Sequence, residues 1–140
     1  MRNAERAEAM SEPDLKKPTK AFALRILKLV DAVPKTTARR ALSSQIVRSG
    51  TSVAANYRAA CRAKSTADFI AKMGIVEEEA DETLFWLELL EESRFVSAAK
   101  LPAIKQEANE LIAITVASIK TARSNRAADS AFRTPNSALE

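Results

Sequence analysis

The sequence predicts an all-α fold, a bundle of long helices, and three observations carry the prediction. Two glycines and five prolines in 140 residues leave few places where a helix must break. Apolar residues recur at spacings of three, four and seven, which gathers them on one side of a helix rather than on one face of a strand. The punctuation between these periodic segments is brief, so neighbouring helices must fold back as antiparallel hairpins. The length suits one domain with a real core, laid out as an arm over 1–17, a bundle over 18–123 and a tail over 124–140.

Residues 1–17 are polar, contain Pro13 and show no sustained period, so a disordered arm is expected there. The first helix runs from Pro18 or Thr19 to Ala32, with Phe22, Ile26, Leu29 and Val33 as its stripe, and Pro34 stops it because the residue before a proline is pushed out of the α region. Thr36 or Thr37 caps the second helix, which continues to about Ala63 on a stripe of Leu42, Ile46, Val53, Tyr57 and Ala60. Gly50 lies in its middle, within a run of low helix propensity (Ser49 to Ser52), and marks either a weak point or a place where another backbone approaches. Ser65 followed by Asp68 forms an N-cap signal for a third helix, Thr66 to Glu92. Its stripe is Phe69, Met73, Val76, Ala80, Leu84 and Leu87, and its length is about 39 Å at 1.5 Å per residue. Ser97 opens a short turn, and the main fourth helix spans Pro102 to Arg123 with Ile104, Ala108, Leu111, Ile112, Thr115, Val116 and Ile119 on its apolar face. From Ser124 the chain is small and polar, with Pro135, and reads as a second disordered tail.

The net charge of +4 is modest, yet its distribution is not. Residues 15–72 carry thirteen Lys or Arg against Asp31 and Asp68, whereas residues 73–92 carry eight acids and no base. Such an asymmetry orients neighbouring helices and leaves a basic surface wherever the acids do not reach. The absence of histidine excludes a Glu-x-x-His di-iron bundle and leaves the single cysteine, Cys61, without an imidazole to activate it; it reads as a small core residue. Glu5, Glu8 and Glu12 interrupt the N-terminus, no apolar segment follows them, and the longest apolar run, Leu111 to Ile119, falls far short of a membrane span. A cytoplasmic protein without membrane contact is expected.

A polar stripe lies beside the core stripe of the second helix: Gln45, Arg48, Ser52 and Asn56. It needs partners if it is to sit next to a core. Glu79 and Glu82, at i and i+3 on the third helix, face it in an antiparallel pair. A cross-helix network of Arg48, Asn56, Glu79 and Glu82 is therefore expected, the alternative being that all four are solvated.

The run QIVRSGTSVAANYRAACRAKSTADFIAKMGIVEEEADETLFWLELL, from Gln45 to Leu90, resembles the four-helix-bundle proteins encoded in intervening sequences of large-subunit ribosomal RNA genes. A relative of those is the accessory variability determinant of diversity-generating retroelements. The similarity extends over roughly 20–122. One departure is Ala59, where such proteins commonly have Glu three residues after the Asn. The resemblance implies an elongated antiparallel up-and-down four-helix bundle that forms a ring-like homopentamer, has a basic face, binds nucleic acid and carries no enzymatic activity or cofactor.

The residues support a basic face in their own right: Lys35, Arg39, Arg40, Arg58, Arg62 and Lys64 lie on the second helix or its approaches. Phosphate binding by counterion release, without base readout, follows from such a patch, and RNA or DNA is the expected partner. Lys120, Arg123 and Arg126 are a second location for that surface. Phe85, Trp86, Ile112 and Ile114 fall off the main stripes and predict a homo-oligomer. Two alternatives stand beside this reading. One is a ring-shaped scaffold that docks a partner protein. The other is a magnesium-dependent all-α nucleotide pyrophosphohydrolase, suggested by Glu78, Glu79 and Glu82 with Glu107 and Glu110, although such acid pairs are common on solvated helices.

Overall fold

The computed structural model describes residues 13–97 and 99–139, with side chains through 131. Four helices follow one another: α1 (Lys16–Asp31), α2 (Thr37–Ala60), α3 (Thr66–Glu92) and α4 (Leu101–Leu139). α1 packs on α2, α2 on α3 and α3 on α4, while the α1 and α4 backbones approach only lightly and those of the diagonal pairs do not come close. That is an up-and-down bundle, left partly open along the seam between α1 and α4. The core is the set of stripes that the sequence marks, with Phe22, Ile26, Ile46, Val53, Met73, Val76, Leu87 and Leu90 fully or almost fully buried. No strand occurs among the described residues.

Polar groups inside the core are satisfied locally. Thr19, Ser49, Thr83 and Thr115 are all buried. Each donates its hydroxyl to a carbonyl one turn earlier, at 2.6 Å for Thr19, 2.8 Å for Ser49, and 2.7 Å for both Thr83 and Thr115. A hydroxyl used in this way leaves no orphan donor and needs nothing from a neighbouring helix.

The boundaries differ from expectation in three places. α1 begins at Lys16 rather than Pro18. A proline at the third helical position is tolerated because the first four N–H groups have no helical partner, and the Asp14 carboxylate accepts from Lys16 N–H at 2.9 Å. Residues 13–17 therefore belong to the fold and not to a loose arm: Leu15 is only 2% exposed, and its N–H donates to the Tyr57 hydroxyl at 3.0 Å. The remainder of the expected arm, 1–12, lies outside the described residues. α2 ends at Ala60, so Cys61 falls in the turn and is exposed rather than part of the core. α4 continues past Arg123 to Leu139, where an unstructured tail was expected; its residues 124–131 are all exposed, and Ala127, Ala128 and Ala131 favour helix without any packing against the core. The third helix matches its expected bounds, with Ser65 Oγ accepting from Asp68 N–H at 3.0 Å.

Gly50 explains itself through α1. A Cβ placed on it would come within 2.9 Å of Ile26 Cγ1, so the glycine lets a buried side chain of α1, not a backbone, seat against α2. α2 runs unbroken through the segment.

Candidate nucleic-acid interface

The six basic residues that sequence assigns to one face are divided by the fold between two ends of the bundle. Arg40 and Arg58 are eighteen positions apart on α2, which returns them to the same side of the helix but separates them by about 27 Å along its axis. The outward face between them carries Ser44, Val47, Thr51, Ala54 and Ala55, and no charge.

Lys35, Arg39 and Arg40 sit where α2 starts, beside the acidic end of α3 and the turn that follows it. Arg39 is engaged there: its guanidinium lies 4.4 Å from the Phe95 ring centroid, its Nε donates to the Phe95 carbonyl at 3.4 Å, and Nη1 donates to Thr36 Oγ1 at 3.2 Å. Arg94, in that same turn, holds a left-handed φ of 59° as it closes α3. Asp31, Glu88 and Glu92 share this end, and Glu91 is bound to Lys105 at 2.9 Å. The local field is mixed.

The other end differs. Arg58, Arg62 and Lys64, at the last turn of α2 and the loop beyond it, are joined by Lys16, Lys17 and Lys20 of α1, because the Leu15 to Tyr57 hydrogen bond holds the start of α1 against the end of α2. α4 brings Lys120, Arg123 and Arg126. Its Ala122 and Asn125 form one wall of an open cleft of about 430 Å³ whose other walls are Ala60, Cys61, Lys64, Ser65, Thr66 and Phe69. All nine cations are exposed, and among the described residues none of their side chains makes an ion pair or hydrogen bond. Asp68 is the nearby acid, and it is already committed. Lys72 at 2.7 Å, aided by the backbone N–H of Lys64 at 3.1 Å, holds its carboxyl below the usual carboxylate range. Asp14 and Asp129 are the other acids of this end.

The polar stripe of α2 is assembled in part. Arg48 Nη1 donates to Glu79 at 3.2 Å, Nη2 donates to Glu82, and Nε donates to Gln45 at 3.1 Å. Glu82, held below its ordinary range mainly by Arg48, also accepts from Trp86 Nε1 at 3.3 Å. Asn56 is not part of this cluster: its amide donates to the Ser52 carbonyl at 2.8 Å, and the position three residues on is Ala59. The cluster is a surface feature, since the Arg48 side chain is 46% exposed. The acids that matched a magnesium-binding pattern have separate partners rather than a shared centre. Glu79 and Glu82 hold Arg48, Glu107 forms a two-point bridge to Arg25 across the α1–α4 seam, and Glu110 accepts from Gln106. Among the described residues no group of three or more His, Cys, Asp or Glu could hold a metal ion.

Sequence reasoning divided the nine-cation end among three segments. It placed Lys16 and Lys17 in a loose arm, and treated Lys120, Arg123 and Arg126 as a separate location. The available signal was topological: in an up-and-down bundle the start of α1, the end of α2 and the end of the packed part of α4 share one end.

No curated protein sequence matches the chain. A crystal structure from Bacteroides thetaiotaomicron, described as a protein with unknown function from the S23 ribosomal protein family, is similar at 36% identity and a TM-score of 0.69. The similarity covers 76% of this chain and 95% of that one. The family model for the 23S rRNA-intervening sequence protein matches residues 13–117, beginning with the Pro13–Leu15 segment that the fold ties down. On these grounds, and with four helices in the arrangement described, the chain belongs to the 23S rRNA-intervening sequence protein family.

Proposed function

We propose that this is a non-enzymatic helical-bundle protein that associates with copies of itself and holds nucleic acid by its phosphates, without reading bases. The observation that carries the reading is the set of nine exposed cations, without a side-chain hydrogen bond or ion pair among the described residues, that α1, α2 with the loop after it, and α4 contribute to one end of the bundle. Their density is what counterion release requires, and phosphate contacts of that kind carry no sequence information. Self-association is supported by large apolar side chains left in solvent on two diagonally placed helices: Leu24 and Leu27 on α1, 54% and 44% exposed, and Ile75, Phe85 and Leu89 on α3, at 41%, 50% and 36%. Apolar patches on opposite sides of one protomer suit a head-to-tail ring, and a pentamer is the size that the family resemblance favours.

The test replaces Arg58, Arg62, Lys64, Lys120, Arg123 and Arg126 with Gln in one variant and Lys35 and Arg40 in another. The first should weaken binding to unrelated RNA and DNA sequences about equally and flatten the salt slope by up to ~0.9 per lost contact on duplex DNA. The second should bind nearly as the parent does. The reverse pattern would move the binding surface to the opposite end.

A further inference from the structure

We infer that the nucleic acid held by this end is double-stranded, an inference that rests on the phosphate-binding reading above and adds the class of ligand. Proteins that hold single strands combine a basic groove with aromatic side chains on which bases stack. Here the cations and the exposed aromatics are segregated. At the nine-cation end Tyr57 is 6% exposed with its hydroxyl turned to Leu15, and Phe69 is half-buried in the wall of the cleft. The aromatic pair that does reach solvent, Phe85 and Trp86 with ring centroids 5.1 Å apart, lies on α3 among Asp81, Glu82 and Glu88, where phosphates are repelled. Phe95 lies beneath the Arg39 guanidinium. Phe132, farther along α4, lies outside the residues whose side chains are described.

Charge geometry points the same way. The cations are anchored on three different helices of a packed bundle, whose axes are spaced ~8–10 Å apart, so they are spread over a width of roughly 20 Å rather than lined along one groove. A duplex presents one charge per ~1.7 Å of axis, twice the density of one of its strands, and presents it on a rigid surface that loses little freedom on binding. A single strand must be ordered to reach the same cations and finds no exposed aromatic ring among the described residues of this end on which to stack.

The experiment is fluorescence anisotropy with the full chain, a single-stranded DNA, its duplex, and the RNA counterparts of both, all of equal length and sequence at one low salt concentration. Duplexes should bind at least about tenfold more tightly than single strands, in DNA and RNA alike. The Phe132→Ala variant should keep the same ratio. Equal or tighter binding of single strands would overturn the inference while leaving the phosphate reading intact, whereas failure of every probe to bind would remove that reading itself. A duplex preference that appears only in Phe132→Ala, with the unmodified chain holding single strands as tightly, would show that single strands stack on this helix, and would also overturn it.

Discussion

Gly50 and Gly74 are the two glycines of the chain, and the same substitution is expected to act on them with opposite sign. At Gly50 an added methyl would press on Ile26 at 2.9–3.3 Å, and Ile26 is fully buried with nowhere to move. Overpacking costs ~1–3 kcal/mol, and the helix propensity regained offsets at most ~1 kcal/mol, so Gly50→Ala should destabilise by about 1–2 kcal/mol. At Gly74 a Cβ meets nothing within 4 Å, and Gly74→Ala should stabilise by ~0.5–1 kcal/mol. Urea midpoints moving in opposite directions, with unchanged slope, would check both. Tyr57 supplies a second test at this scale. Burial, above all, raises its phenol from 10.0 to about 12. The unfolded chain gives up that proton more readily, so the stability linked to Tyr57 is intact below pH 10 and is lost as pH rises through about 12. As the only tyrosine, it can be followed by tyrosinate absorbance, which should rise together with alkaline unfolding and not before it. Residue-level legibility was uneven for a plain reason. Arg48 and its acids could be paired by charge alone, but Asn56 satisfied itself within its own helix, and which atom Gly50 accommodates depends on where α1 crosses α2.

Elements were the most legible scale. α3 could be bounded because its start carries a local chemical signal, the Ser65 cap, that needs no tertiary information. α1 and α4 could not. Pro18 reads as a boundary although the first turn tolerates it, and beyond Arg123 the loss of an apolar stripe marks the end of packing rather than the end of helix. α3 also presents outward the stripe of Ile75, Phe85 and Leu89, interrupted by Glu78 and Glu82, which a lone bundle has no use for. Light scattering at micromolar concentration should therefore return a mass that is a multiple of the 15.3 kDa chain. Phe85→Glu should reduce that mass without unfolding the helices, because the side chain is half exposed and outside the core. A monomeric parent protein would end the argument for a ring.

Across the whole molecule, the sequence shows how much charge each segment carries, and the fold decides which segments meet. A single basic face on α2 was a reasonable inference from six cations on one helix and its approaches, but a helix of 24 residues is longer than any one patch, and antiparallel packing gave each of its ends different neighbours. The start of α2 received the acids of α3. The end of α2 received the lysines of α1 and the basic turns of α4, and there the positive field is least opposed. No helix among the described residues is long and apolar enough to cross a membrane, and the nine cations of this end are exposed. Its occupation by phosphates is tested most directly by titrating the unmodified protein against duplex nucleic acid over a series of salt concentrations. Binding that is measurable at low salt and falls linearly in logarithmic coordinates, with a slope corresponding to several neutralised phosphates at ~0.9 each, is the expected result. No binding at low salt, or binding indifferent to salt, would contradict it and leave a protein-docking surface as the reading to pursue.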